Sequence, residues 1–141
     1  MSKAIDEALY AHLISDQTAG SAFELVQGRV SAQYGDPSDD LPLITFEQTG
    51  GVMQQTFGGT LMMMDESYDV TIVGRWEDGL ADIGDIADQV VELFGTPVYT
   101  TGTDLDRVVF EISSATSVTR DEEHLLATIG LRAKAVQTGG L

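Results

Sequence analysis

Cysteine is absent from the 141 residues of this chain. Its absence excludes disulfide bonds, thiolate nucleophiles and zinc sites built on cysteine. Histidine occurs twice, which is too few for most metal sites. Long apolar runs are missing too, because no stretch approaches the roughly 18 residues that a membrane helix needs. Asp6 and Glu7 stand where a secretory signal would be apolar. These absences predict a soluble intracellular protein with no membrane segment.

Basic side chains are also scarce. The chain has 7 Lys and Arg against 23 Asp and Glu, a net charge of −16, and an isoelectric point near 4.1. A surface this negative repels phosphate, which excludes sequence-specific binding of nucleic acid. Two explanations of the acidity stay open. It suits solubility at very high salt, and it suits a negative wall past which a polyanion slides without sticking.

The length and the apolar content predict a single domain over residues 1–141. The chain has a mass of 15.1 kDa and is 43% hydrophobic, which is enough to bury one sizeable core. No internal repeat is visible. Composition therefore predicts one globular unit and leaves its function open.

Two segments have the apolar spacing of helices. Ile5, Leu9 and Leu13 recur every four residues and predict a helix over 2–15, with a short helical turn to follow over 22–26. The stronger pattern runs from Ile83 to Phe94, where apolar side chains recur at helical spacing and acids occupy the opposite side. Gly95 is expected to end this second helix.

Five segments are rich in β-branched, aromatic or alternating apolar residues and predict strands: 29–34, 43–48, 68–76, 105–114 and 124–136. The order α-β-β-β-α-β-β predicts an α+β fold, a mostly antiparallel sheet covered by two helices. We expect the last two strands to form a hairpin through the polar segment 115–123. The last strand is long for a small domain, and we expect it to offer an edge to a neighbour.

Residues 49–66 are the least regular part of the sequence and predict a flexible arm or irregular hairpin. Two glycine pairs flank Phe57, and Met62, Met63 and Met64 follow in a row. Flexible thioether side chains suit adaptable contact with another protein. The alternative is a strand buried on both faces, and the sequence does not choose between the two.

Residues that carry catalysis are not found in a recognisable pattern. His12 and His124 have the setting of a helix-rim residue and of a strand-edge residue. The acids of the loop 36–40 fit no defined calcium loop, so a solvated turn is favoured. Asp82, Asp85 and Asp88 lie three residues apart, opposite the apolar stripe, which favours a solvated helix face over a catalytic cluster. We therefore expect no enzymatic activity, no metal and no cofactor.

The order of these segments resembles a known family. The points of likeness run along the chain: Gly28-Arg29-Val30 after an opening helix, a proline-led strand over 41–46, a long hairpin before the strand 68–73, the junction Arg75-Trp76-Glu77-Asp78, and a helix ending at Leu93-Phe94-Gly95. This layout is similar to that of the tail-terminator proteins, which complete tails and join heads to tails in long-tailed phages and related archaeal viruses. The likeness covers nearly the full chain and is one of pattern.

The resemblance implies a structural virion protein, assembled in the host cytoplasm and placed at the head–tail junction. It implies a ring, a hexamer in that family, which caps the tail tube, ends its elongation and receives the head. Its partners would be other copies of itself, the tail tube protein and a head-closure or connector protein. The family has no catalytic residues to carry over.

On this interpretation DNA passes through an acidic lumen without specific binding. Asp82, Asp85 and Asp88 are candidates to face that lumen. Phe57, Met62, Met63 and Met64 are candidates to contact a neighbouring subunit or the tube. Two other functions stay open: a neighbouring head-closure or adaptor ring of the same joint, and a monomeric acidic α+β binding module of a halophile.

Overall fold

The computed structural model describes residues 2–32, 41–55, 61–75, 79–95, 98–100, 107–121 and 123–138. Three helices and six strands lie in these ranges: α1 (Ser2–Leu13), α2 (Ala22–Leu25), β1 (Val30–Ala32), β2 (Leu43–Gln55), β3 (Leu61–Arg75), α3 (Gly79–Leu93), β4 (Val98–Thr100), β5 (Arg107–Asp121) and β6 (His124–Thr138). The strands form one sheet in the order β1-β2-β3-β6-β5-β4. Every neighbouring pair is antiparallel except β1 with β2. The α+β class predicted from the sequence agrees with this architecture.

Both long helices pack on the same face of the sheet. On α1, Ile5, Leu9 and Leu13 are fully buried, as their four-residue spacing predicts. On α3, the buried side of the helix carries the apolar stripe that ends at Phe94. The ring of Phe94 meets Phe110 of β5 edge-on, with 6.2 Å between the ring centroids. The core therefore lies between α1, α3 and one face of the sheet.

A turn with left-handed backbone leads from α2 into β1. Ser21 begins α2, and its Oγ accepts a hydrogen bond from the Glu24 amide at 3.3 Å. After α2, Gln27 and Gly28 both take positive φ angles, 53° and 78°, which a glycine adopts at little cost. Arg29 then donates from Nε to the Pro42 carbonyl oxygen at 2.9 Å. This contact lies beside the parallel pairing of β1 with β2.

Residues 49–66 are mostly regular strand, so the expectation of an irregular stretch is wrong. β2 continues to Gln55 and β3 begins at Leu61, and the two pair from Leu43↔Val73 to Gln55↔Met62. One register shift, between Gln48 and Gly50, interrupts the ladder. The hairpin was predicted but its regularity was not, because glycine and methionine carry little strand propensity and the pairing with β3 overrides it.

The last strand is not an edge, which corrects a second expectation. β6 lies inside the sheet and pairs with β3 along one side and with β5 along the other. β5 extends to Asp121, well into the segment predicted to be a connection, and it shifts register twice between Ile112 and Ser117. The short strand β4 was not predicted. Its place at the edge depends on pairing with β5, which no local pattern encodes.

Candidate assembly surfaces

One face of the sheet carries no helix in the described part of the chain, and we call it the open face. Helices cover the other face. For example, Ile83 of α3 packs directly on Gly74 of β3, where an added Cβ would lie 3.3 Å from the Ile83 side chain. Side chains alternate across a strand, so the residues between the buried ones belong to the open face. Among the described side chains, its charged residues are Glu47, Asp65, Asp69, Arg75, Glu111, Arg132 and Lys134.

Two cross-strand ion pairs lie on the open face. Arg132 donates from Nε to Asp65 Oδ1 at 2.7 Å and from a second guanidinium nitrogen to Oδ2. These hydrogen bonds hold the pKa of Asp65 below its ordinary value. Lys134 Nζ lies 3.6 Å from Glu111 Oε1. Water reaches both pairs, so each contributes little to stability. Each pair mainly neutralises one acid of the open face.

Two further acids of the open face oppose each other across β2 and β3. Glu47 is the register partner of Asp69, and both side chains are half-buried. Beside them, hydroxyl side chains form a row across four strands: Thr45, Thr71, Thr128 and Ser117. With four acids and three bases among the described side chains, the open face has a small net negative charge and offers a polyanion no net attraction.

The second acidic surface is the outward side of α3. Asp85 and Asp88 are exposed, as expected for residues opposite the apolar stripe. Asp82 lies on the same helix, but its side chain is outside the described residues. Exposure places Asp85 and Asp88 at the surface, and their role in a lumen stays a prediction.

The three consecutive methionines do not form one surface. Met63 is 46% exposed whereas Met64 is 2% exposed, because successive residues of β3 point to opposite faces of the sheet. Met64 is therefore part of the core, which corrects its assignment to a contact surface. The side chain of Met62 and all of Phe57 lie outside the described residues. Met63 remains a candidate for contact with a partner.

A buried carboxylate cluster joins α1 to β3, and the sequence analysis missed it. The Tyr68 hydroxyl donates to Asp6 Oδ1 at 2.7 Å, and Glu66 Oε2 lies 3.3 Å from the same hydroxyl. Glu66 is only 4% exposed. Burial raises the pKa of Glu66, and burial with the Asp6 hydrogen bond raises the pKa of Tyr68 well above its ordinary value. The spacing of Glu66, Tyr68 and Val70 was the available signal, since alternate residues of a strand share a face.

The histidines have structural positions in the described fold. His12 Nε2 donates to the Leu93 carbonyl oxygen at 2.8 Å. Its ring meets Phe94 edge-on, with 4.8 Å between the centroids. His12 therefore ties the end of α1 to the last turn of α3. His124 begins β6 opposite Arg75 and Asp121, and it is half-buried.

Neither a metal site nor a membrane helix is present among the described residues. No group of three or more His, Cys, Asp or Glu in those ranges could hold a metal ion. The loop acids 36–40 lie outside them. In the same part of the chain, no helix combines the length and the apolar character needed to cross a membrane.

Comparison with known proteins adds a likeness of fold. No family model matches the sequence, and no curated protein matches it. A chain of the solved structure "Virion of native gene transfer agent (GTA) particle" is similar, with a TM-score of 0.74 and 13% identity over 96% of each chain. A second solved structure, whose name states no activity, has a TM-score of 0.64 and 15% identity, again over 96% of each chain. At such identities the likeness shows a shared fold.

Proposed function

We propose that this chain is a structural protein of a virion, that it forms a ring, and that the ring caps the tail tube, ends its elongation and joins it to the head. The observation that carries the proposal is the fold shared over 96% of both chains with a component of a gene transfer agent particle. The order of sequence segments, which resembles tail-terminator proteins, points to the same class independently.

The chemistry of the described surfaces supports a structural role. Acids outnumber bases by one among the described side chains of the open face, and Asp85, Asp88 and Glu92 are exposed on the outward side of α3. If either surface lines the lumen, DNA that passes through it meets negative charge and few sites at which a phosphate would bind. The partners in this proposal are further copies of the chain, expected to number six, the tail tube protein and a head-closure protein.

The test is the mass and shape of the purified full chain. Light scattering after size exclusion, at high protein concentration and in both dilute and molar salt, measures the number of copies. Negative-stain electron microscopy of the same fractions shows whether annular particles form. Rings support the proposal. A monomer in all conditions, which also fails to bind tail tubes assembled from the tube protein of the same virion, contradicts the proposal.

The hairpin of β2 and β3 is proposed as the arm that reaches a neighbouring subunit or the tube. Met64 and the paired ends of both strands belong to the sheet, so deleting 57–64 would damage the fold. Met63→Glu is the sharper variant, because it charges an exposed apolar side chain and leaves the ladder intact. We expect Met63→Glu to lower the fraction of rings at least fivefold, whereas Ser67→Glu, at an exposed site on the same strand, should not. Equal ring fractions for both variants would exclude Met63 from the contact.

The net charge of −16 favours one other function, a monomeric acidic binding module of a halophile. That function predicts a monomer at high salt with no affinity for tail tubes. An adaptor ring of the same head–tail joint is a further possibility, and it predicts rings that bind the head connector and not the tube end. The light-scattering and tube-binding measurements separate all three.

A further inference from the structure

Two segments at opposite sides of the sheet have one strand partner each among the described residues. On one side, β1 pairs with Ile44–Phe46 of β2, and Gly50–Gln55 pairs with β3 alone. On the other side, β4 pairs with Val108–Phe110 of β5, and Ser117–Asp121 pairs with β6 alone. We call these segments the β2 edge and the β5 edge. Each presents backbone donors and acceptors that another strand can pair with.

The two edges match in length, and all of the β2 edge and the first three residues of the β5 edge lack the usual protection of an exposed edge. The β2 edge has six residues and the β5 edge has five, and both are regular because the register shifts lie before Gly50 and before Ser117. Neither edge contains proline, and no charged residue occurs in Gly50–Gln55 or in Ser117–Thr119, whereas the β5 edge ends in one base and one acid, Arg120 and Asp121, whose charges cancel. In a chain with a net charge of −16, two copies can therefore approach edge to edge without opposing acids.

Exposed apolar side chains lie at the same two places. Val118 of the β5 edge is 48% exposed, the highest value among the large hydrophobic side chains that the structure describes as exposed. Met63, which is 46% exposed, is the register partner of Gln54 in the β2 edge. A strand added to the β5 edge would cover part of Val118, whereas Met63 lies on β3, one strand inside the β2 edge, within reach of side chains from an added subunit. Exposed apolar groups beside an unpaired strand are typical of a protein interface.

We propose that the β5 edge of one copy pairs with the β2 edge of a second copy, as antiparallel strands that continue the sheet from subunit to subunit. β5 runs parallel to β3 whereas β2 runs antiparallel to it, so two copies in the same orientation bring antiparallel strands together. Each copy has one edge of each kind, and such a head-to-tail contact repeats around a ring. The inference rests on the proposed ring and names the surface that builds it.

The two edges lie at different heights along the strands. Thr119 of β5 pairs with Leu126 of β6, which in turn pairs with Val73 of β3. Val52 of β2 pairs with Asp65 of β3. Measured along β3, the two edges are therefore eight residues apart. Pairing them displaces each copy along the strands by about 27 Å, at about 3.4 Å per residue. Strands of a closed sheet tilt against its axis with a stagger of this kind. In this arrangement the helices lie on one side of the closed sheet, and the open face lies on the other.

Cysteine cross-linking tests the pairing, because the chain has no cysteine of its own. Gly50→Cys is sterically permitted, since a Cβ there meets nothing within 4 Å, and Thr119 is exposed. The full-length double variant Gly50→Cys, Thr119→Cys is treated with a short flexible bismaleimide under conditions in which light scattering shows the assembled state. We expect a ladder of covalent multimers in denaturing gels. An equimolar mixture of the two single variants should give covalent dimers and no ladder.

The matched control pairs Gly50→Cys with Glu92→Cys, an exposed position on α3. A ladder at least tenfold stronger for the edge pair than for the control supports the pairing. Assembled rings that give no ladder with the edge pair, or an equal ladder with the control, overturn the pairing and leave the proposed ring intact. A chain that stays monomeric and cross-links with neither pair overturns both proposals. Extended multimers without closed particles would keep the pairing and contradict the ring.

Discussion

At the residue scale, Glu66 is the costliest polar group in the described core. Its carboxyl is buried beside Asp6 and shares the Tyr68 hydroxyl with it. Because the pKa of Glu66 is raised, the folded chain binds a proton at Glu66 more tightly than the unfolded chain does. The tighter proton binding stabilises the folded chain fully at pH values below the ordinary pKa of 4.5. This stabilisation is lost as the pH rises through the pKa that Glu66 has in the folded chain.

We therefore predict that Glu66→Gln raises the free energy of unfolding at pH 7 by about 1 kcal/mol. The amide keeps an oxygen for the Tyr68 hydroxyl and removes a buried charge. The gain should shrink as pH falls toward 4, where Glu66 is protonated in the parent chain. Urea denaturation at a series of pH values measures both effects. Glu111→Gln, on the open face, is the control, and a loss of stability for Glu66→Gln would show that its charge is needed.

Gly130 of β6 lies so close to Ser114 of β5 that there is little room for a larger side chain. A Cβ at this position would overlap Ser114 Oγ and lie 3.3 Å from Ser114 Cβ, where β5 shifts register against β6. We predict that Gly130→Ala lowers the free energy of unfolding by about 1–3 kcal/mol. Gly50→Ala meets open space and should cost less than about 0.5 kcal/mol. Thermal unfolding followed by circular dichroism compares the two, and equal losses would contradict this reason.

At the element scale, the contact between α1 and α3 depends on one histidine. His12 lies at the end of α1 and donates to the Leu93 carbonyl oxygen in the last turn of α3. That carbonyl is among those a helix leaves without an internal partner. The His12 side chain of α1 therefore supplies the hydrogen bond that this carbonyl lacks within α3, and it ties the two helices together over the sheet.

We predict that His12→Ala lowers the free energy of unfolding by about 1–2 kcal/mol, since it removes this hydrogen bond and the edge contact with Phe94. Hydrogen exchange should show the largest loss of protection in the last turn of α3. His124→Ala, at the start of β6, is the matched control and should leave α3 unchanged. Unaltered exchange at Phe94 and Leu93 in His12→Ala would contradict the proposed tie.

At the scale of the whole molecule, the net charge of −16 opposes the compact state. On the open face, two ion pairs offset part of the repulsion, and water screens both. We predict that the free energy of unfolding rises by several kcal/mol between dilute buffer and molar sodium chloride, since salt screens the remaining acids. Urea denaturation at increasing salt measures the change. Full stability in dilute buffer, with no gain on adding salt, would contradict adaptation to high salt.

The sequence predicted the helices well, and it predicted strands less well, for a physical reason. A helix makes its hydrogen bonds within itself, so the spacing of Ile5, Leu9 and Leu13 and the stripe ending at Phe94 were enough to locate α1 and α3. A strand makes its hydrogen bonds with another strand. The lengths of β2 and β5 therefore depend on β3 and β6, and their glycine, serine and methionine residues gave no local sign of it.

Composition and periodicity alone determined the acidic character, the two amphipathic helices, the α+β class and the lack of a recognisable catalytic motif, because these properties are local or additive along the chain. Tertiary structure decided that Met64 and Glu66 are buried while Met63 is exposed. It also decided that β6 lies inside the sheet and that β2 and β5 carry edges. Strand order and register join residues far apart in the chain, and such contacts are set by the packing of the whole sheet.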